Sequence, residues 1–318
     1  MTDPFHVDET AAISLRGVSK HYGAVRAVDG VDLDVGHGEL FGLIGHNGAG
    51  KSTLFKMMLG LIPATTGSIR VAGASVRGAA FRAARRQIGY LPENLVLYDN
   101  LSGLETLRFF ARLKGVPAAD CAPLLARVGL AGAADKPLRA YSKGMRQRLG
   151  FAQALLGTPR VLFLDEPTNG LDPAAIHDFY ATLQGLREQG VTILITSHIL
   201  AELQQRIDRL AILADGRVLA LGSVAALRAR ADLPLTLAVR VEAGARSALW
   251  AQLSPLCAHG AEIVDGQAEH EMLLRCSRSL KMDALQALQP LGGRLLDLQI
   301  HEPSLEDVFF GLRQTEAA

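Results

Sequence analysis

The stretch Gly45-His46-Asn47-Gly48-Ala49-Gly50-Lys51-Ser52-Thr53 fits the pattern G-x-x-x-x-G-K-[ST] without a mismatch. The chemistry open to such a stretch is phosphate binding. Its glycines let successive backbone N–H groups converge on phosphate oxygens, and a helix starting there adds partial positive charge. Lys51 would reach the β- and γ-phosphates of a nucleotide, and the Ser52 hydroxyl would take one Mg²⁺ position. A second chemical group, Asp165-Glu166, ends the apolar run VLFL at 161–164. Adjacent carboxylates at the end of a core strand are costly unless a cation or water offsets them. Asp165 can hold Mg²⁺ through water, and Glu166 can polarise an attacking water as general base. His198, just past the run TILIT at 192–196, could contact a γ-phosphate. Ser142, Lys143 and Gly144 stand before a helical pattern, where a hydroxyl, free N–H groups and the dipole end make an anion site; serine is equally a common N-cap there.

These residues need elements to hold them. ELFGLI at 39–44 reads as a short buried strand, and 53–59 as the first turns of a helix. VLFL and TILIT are continuous apolar runs, as parallel strands buried on both faces require. Before the loop, 13–18 and 28–35 alternate apolar and polar, which predicts an antiparallel β layer beside the parallel core. Tyr22 is read in the turn between them, either stacking on an adenine or half-buried. Strands are expected at 68–71 and 87–91, with a short basic helix at 79–86 between them. Over about 94–157 the character turns helical. Ser102 and Glu105 form a capping box ahead of a helix that Gly115 and Pro117 stop. Helices follow at 118–128 and 146–156. Leu95, Leu97 and Tyr98 either pack under this insertion or face another protein. A turn at 168–173, containing Asp172, leads into a helix at 174–189. A helix is expected at 199–206, and 209–213 and 217–222 pair as a hairpin around Asp215-Gly216.

The domain organisation expected is a flexible tail at 1–12, an α/β nucleotide-binding domain at 13–231 and a small α+β accessory domain at 232–318. The last carries a strand–helix–strand–strand–helix–strand order, of ferredoxin-like kind, and a final helix at 304–312 opened by Ser304 and Asp307. Lys+Arg 33 against Asp+Glu 32 leaves a formal charge of +1, which argues against a nucleic-acid binder. No apolar run approaches the roughly 20 residues of a membrane span, and the start shows no secretory pattern. A cytoplasmic chain is expected, joined to a membrane through a partner. Cys121, Cys257 and Cys276 are too scattered for a disulfide framework, and Cys257 and His259 have no third ligand at metal-like spacing.

Tyr22, 45–53, 142–145, 161–166, Asp172 and His198 occur in the order and approximate spacing of ABC-transporter nucleotide-binding subunits, which the chain resembles over about residues 13–230. The resemblance implies a P-loop NTPase (ABC ATPase) core with antiparallel β and helical subdomains. It implies ATP and Mg²⁺ as ligands, with Mg²⁺ held by Ser52, Asp165 and Glu93, and Lys51, Glu166, Asp172 and His198 as catalytic residues. It also implies a head-to-tail homodimer, in which the loop of one copy and Ser142/Gly144 of the other enclose each ATP. An integral membrane permease would complete the transporter on the inner face of the cell membrane. IHEPSLEDVFFGL at 300–312 looks like the extension of ABC-2-type exporter ATPases. GYLPEN, LSGLETLRFFARLKG, YSKGMRQRLGFAQALLG and HEPSLED together resemble the ATPase of the nitrous-oxide-reductase maturation transporter, which implies copper or sulfur supply with a periplasmic accessory protein. The alternative cargo is a drug, lipid or polysaccharide. Two departures from the family stand out. Glu93 replaces the usual glutamine, and YSKGM replaces LSGGQ, with Lys143 adding a charge. They leave open a nucleotide-binding module of low turnover. A soluble ABC ATPase of translation or repair is the other alternative, disfavoured by the lone phosphate loop and the absence of a coiled-coil insertion.

Overall fold

Three apolar runs build the core of the first unit as continuous buried strands, and the computed structural model shows how they are stacked. It describes residues 11–197, 203–204, 206–231, 233–266, 270–304 and 307. The chain divides into two units, Met1–Ser223 and Val224–Ala318. In chain order the first holds β1 (Ile13–Tyr22), β2 (Val25–Val35), β3 (Leu40–Ile44), α1 (Lys51–Met58), β4 (Thr66–Val71), β5 (Ala74–Ser75), α2 (Phe81–Ala84) and β6 (Ile88–Leu91). There follow α3 (Gly103–Lys114), α4 (Cys121–Arg127), α5 (Lys143–Leu155), β7 (Val161–Asp165), α6 (Pro173–Glu188), β8 (Thr192–Ser197), β9 (Arg209–Ala214) and β10 (Arg217–Gly222).

β3, β7 and β8 are buried at every residue. They form the centre of a six-stranded sheet in the order β10-β9-β3-β8-β7-β6, parallel throughout except that the edge strand β10 runs antiparallel to β9. An antiparallel sheet, β2-β1-β4-β5, is the second layer. Between the layers lies a core of Leu15, Val31, Phe41, Leu54, Phe55, Met58 and Phe163. There Phe55 of α1 meets Phe163 of β7 edge to face at 5.5 Å, fixing the helix after the phosphate loop over the strand that bears the acids. The insertion α3–α5 lies between β6 and β7. The Ser102–Glu105 box is formed in both directions, and Gly115 closes α3 in the left-handed conformation at φ 72°.

Three local expectations change. Tyr22 ends β1 rather than standing in a turn, because its pairing with Val25 extends the ladder to the hairpin tip. The helix expected at 146–156 starts at Lys143, because the Ser142 side chain caps it by accepting from the Met145 N–H. The helix expected at 118–128 is α only over Cys121–Arg127, after a 3₁₀ turn.

The second unit holds α7 (Val224–Ala231), β11 (Leu235–Val241), α8 (Arg246–Leu253), β12 (Glu262–Asp265), β13 (Glu271–Cys276), α9 (Lys281–Leu288) and β14 (Leu295–His301). Its antiparallel sheet runs β12-β13-β11-β14, the split βαβ order of ferredoxin-like folds. Alternate residues Leu235, Leu237, Val239 and Val241 of β11 enter a core with Leu249 and Leu253 of α8 and Leu288 of α9. Ser304 and Asp307 hydrogen-bond reciprocally as a helix start, and the rest of the helix expected at 304–312 lies outside the described residues.

Lys114, the last residue of α3, reaches under the insertion and donates to Ile88 O at 3.2 Å and Leu156 O at 2.6 Å. Burial pushes its pKa from 10.5 down to about 8. Between those values the unfolded chain binds the proton and the folded chain does not, so stability rises with pH. Denaturant titrations from pH 8 to 10 should show this rise, with a limiting slope of about 1.4 kcal/mol per pH unit. The Lys114→Met variant should lose that part of the slope.

Candidate active site

The loop at 45–50 leaves β3 and enters α1 directly. Gly48 and Gly50 take φ of 87° and 102°, the left-handed region in which a side chain is strained. A Cβ on Gly50 would also lie 2.5 Å from Ala27 O, so strand β2 forms the back wall of the loop. Lys51 is 9% exposed, and its ammonium donates to Gly45 O at 2.5 Å and His46 O at 3.2 Å. Of its three N–H donors two are thus engaged on the loop, and one remains for a phosphate oxygen. Ser52 is exposed beside it and Thr53 half-buried. His46, in the tautomer protonated at Nδ1, donates from Nδ1 to Asn47 O at 2.7 Å.

Parallel register carries the acids to the same edge. β3 pairs with β8 and β8 with β7, with Ile44 opposite Ser197 and Thr196 opposite Asp165. Burial lowers the Lys51 pKa, while Glu166, Asp165 and Glu93, in that order of strength, act to raise it. The three carboxylates therefore all act on one ammonium. Asp165 is 8% exposed. Burial raises its pKa most, the hydrogen bond from Thr196 lowers it, and the Glu93 carboxylate raises it again. Glu93 stands exposed two residues beyond β6.

The sequence did not single out Thr196. Its fully buried hydroxyl accepts from the Glu166 N–H at 2.9 Å and donates to Asp165 Oδ1 at 2.7 Å. One side chain of β8 thereby positions Asp165, which ends β7, and Glu166, which follows it, and Glu166 keeps a left-handed backbone at φ 47°. The signal was present as a polar residue ending a fully apolar run. Gln147 is a second such residue. Buried in α5, it donates from Nε2 to Pro167 O at 3.0 Å, directly after Glu166.

Other expected residues stand apart from this cluster. Asp172 caps α6, its Oδ1 accepting from the Ala175 N–H at 2.8 Å. Ser142–Gly144 lies against the loop before α6, where a Cβ on Gly144 would come 3.1 Å from Gly170 O. Tyr22 is 51% exposed at the β1–β2 hairpin tip, so the half-buried alternative falls away, and the Lys20 ammonium lies over its ring 5.0 Å from the centroid. His198 lies outside the described residues. Leu95 packs under the insertion, against Gly150 of α5, whereas Val96 and Tyr98 are exposed.

The Thr196→Val variant keeps the shape and removes both hydrogen bonds. Nucleotide hydrolysis should fall by about tenfold to a hundredfold, as an unpaired, part-buried Glu166 N–H worth about 1–3 kcal/mol implies. Thr196 lowers the Asp165 pKa, so its removal should shift the acid limb of the pH–rate profile to higher pH. A pH–rate titration of parent and variant reads both effects.

Residues 28–169 match the family model described as ABC transporter. The daunorubicin resistance ATP-binding protein DrrA3 of Streptomyces coeruleorubidus is 37% identical over 309 residues, covering 95% of each chain. A solved ATP binding subunit of an ABC transporter is 35% identical, with TM-score 0.64, over 69% of this chain and 92% of that one. A dimeric bacterial ABC transporter cassette is 25% identical, with TM-score 0.62, over 67% of this chain and 98% of its own. Likeness in sequence and likeness in fold thus agree, and the chain belongs to the ABC transporter family, as an ATP-binding subunit that hydrolyses ATP.

Proposed function

We propose that two copies of the chain, arranged head to tail, enclose ATP with Mg²⁺ and drive a membrane permease by closing and opening. The observation that carries this reading is the gathering of Lys51, Asp165, Glu166 and Glu93 at the edge of one sheet. The residues fit the ligand. The loop offers backbone N–H groups and an ammonium to phosphate. Asp165 and Glu93, whose repulsion raises Asp165, are a donor pair that a divalent cation would relieve, and the Ser52 hydroxyl next to Lys51 in the chain is exposed. Mg²⁺ when bound neutralises charge on the β- and γ-phosphates. Lys51 orients the phosphates from its anchored position on the loop. Glu166, held through its backbone by Thr196, accepts the proton of the attacking water. His198 contacts the γ-phosphate, Tyr22 stacks on the adenine, and Ser142, Lys143 and Gly144 of the second copy, with Asp172 nearby, complete the pocket. A dimeric cassette of similar fold supports the pairing.

Among the described residues no helix is long and apolar enough to cross a membrane. The permease contact in this reading is made by the exposed apolar side chains of the first part of the insertion, from Val96 to the end of α3. Val96 is 93% exposed, Tyr98 66% and Leu113 70%, and Tyr98 stacks edge to face on Phe109. The chain then works on the inner face of the cell membrane.

For cargo, the motif strings at 89–94, 101–115 and 141–157 support copper or sulfur supply for nitrous-oxide-reductase maturation, with a periplasmic accessory protein reached through the permease. A second reading, drug export, is favoured by the match to DrrA3 across nearly the whole chain, the second unit included. Deleting the chain leaves the reductase without its copper centre under the first reading. Under the second, deletion sensitises cells to a drug.

The Glu166→Gln variant should hydrolyse ATP at least about a hundredfold more slowly, the usual loss on removing a general base. It should also sediment as a dimer in ATP. Hydrolysis at the parent rate would remove the base assignment, and a monomer in ATP would remove the dimer.

A further inference from the structure

We infer that Lys143 is a positioning residue whose aliphatic stem clasps the N-terminus of α5 to the loop at 167–172 of its own chain. The segment presented to one nucleotide and the loop that follows the base for the other then move as one body. The second statement rests on the dimer proposed above; the clasp itself does not.

Three contacts carry it. The Lys143 stem lies over Gly170, so closely that a Cβ built there would fall 2.6 Å from its Cδ, 2.9 Å from Cε and 3.0 Å from Cγ. The Gly144 backbone approaches the same turn, with Gly170 O 3.1 Å from a Cβ placed at 144. Four residues along α5, Gln147 holds Pro167 O at the start of the loop. The loop is itself a closed turn, with the Asn169 N–H on Glu166 O at 3.3 Å and the Leu171 N–H on Thr168 O at 3.1 Å. A displacement of α5 therefore reaches Glu166 through at most one turn of chain.

The choice of residue at 143 points the same way. It is the first residue of α5, where the helix dipole disfavours a cation, and the first turn holds no acidic residue to offset it. Glycine or a small polar residue would serve the helix start as well. What lysine adds is a four-carbon stem, long enough to cover a bare backbone turn. Gly170 complements it. Its φ of 84° suits glycine, and its missing side chain makes the groove the stem occupies.

The test compares two variants that both lose the charge, Lys143→Met, which keeps a stem, and Lys143→Gly, which does not. In the full chain without nucleotide, amide hydrogen exchange is read at Asn169, Gly170 and Leu171. Exchange in Lys143→Gly should be faster than in Lys143→Met by about fivefold or more, since local opening there loses the packing that opposes it. With ATP present, kcat of Lys143→Gly should fall about tenfold below that of Lys143→Met, with KM within about twofold, as a misplaced catalytic loop implies. Equal exchange in the two variants overturns the clasp, whether both match the parent or both are raised. Faster exchange with equal kcat confines the stem to a structural contact and overturns its positioning role. Failure of the dimer is read separately, from sedimentation of Glu166→Gln in ATP.

Discussion

The parallel register of β3, β8 and β7 is the constraint on which the site depends. Because these strands run the same way and end level, a phosphate loop leaving one and two carboxylates ending another meet at a single edge. No side chain has to reach far. The strands can be apolar throughout because both faces are covered, and their polar work is confined to the last residue or two. The Phe55–Phe163 contact adds the third dimension, seating the helix that opens with Lys51 on the strand that closes with Asp165.

That edge is electrically unbalanced. Glu166, Asp165 and Glu93 act on one buried ammonium, and Lys56 contributes only weakly to Asp165. In a partly desolvated cleft such an excess of negative charge favours a bound cation and opposes a bare polyphosphate. Thr196 tempers the imbalance, lowering the Asp165 pKa while its oxygen steadies the backbone of Glu166. Preorganised dipoles of this kind are effective because they need not reorient during the reaction.

The features legible in the sequence were those whose physics is local. The phosphate loop, the apolar runs ending in Asp165 and Ser197, the Ser102–Glu105 box and the Asp215-Gly216 hairpin each state their geometry within a few residues. The ferredoxin-like order of the second unit was also readable, because alternation and helix spacing succeed each other without interruption. Thr196 and Gln147 were not, since each matters only through a partner brought to it by tertiary packing. From sequence alone, Thr196 is a β-branched residue in a β-rich run, and Gln147 an ordinary helix former. The start of α5 was misplaced for a related reason. Lysine and glycine argue weakly against a helix, and the Ser142 cap overrode them. Gly23 after Tyr22 points to a turn, while the pairing with Val25 keeps Tyr22 in the ladder.

Glu166 stands in a left-handed backbone at φ 47°, where a residue with a Cβ is held at some cost. Glycine would occupy the same position without that cost. A chain selected for folding alone would thus abandon the carboxylate. With Glu166 as the base proposed above, position 166 is one where stability and turnover pull in opposite directions, and variants recovered from a screen for heat resistance would collect there as folded, nucleotide-retaining, inactive proteins.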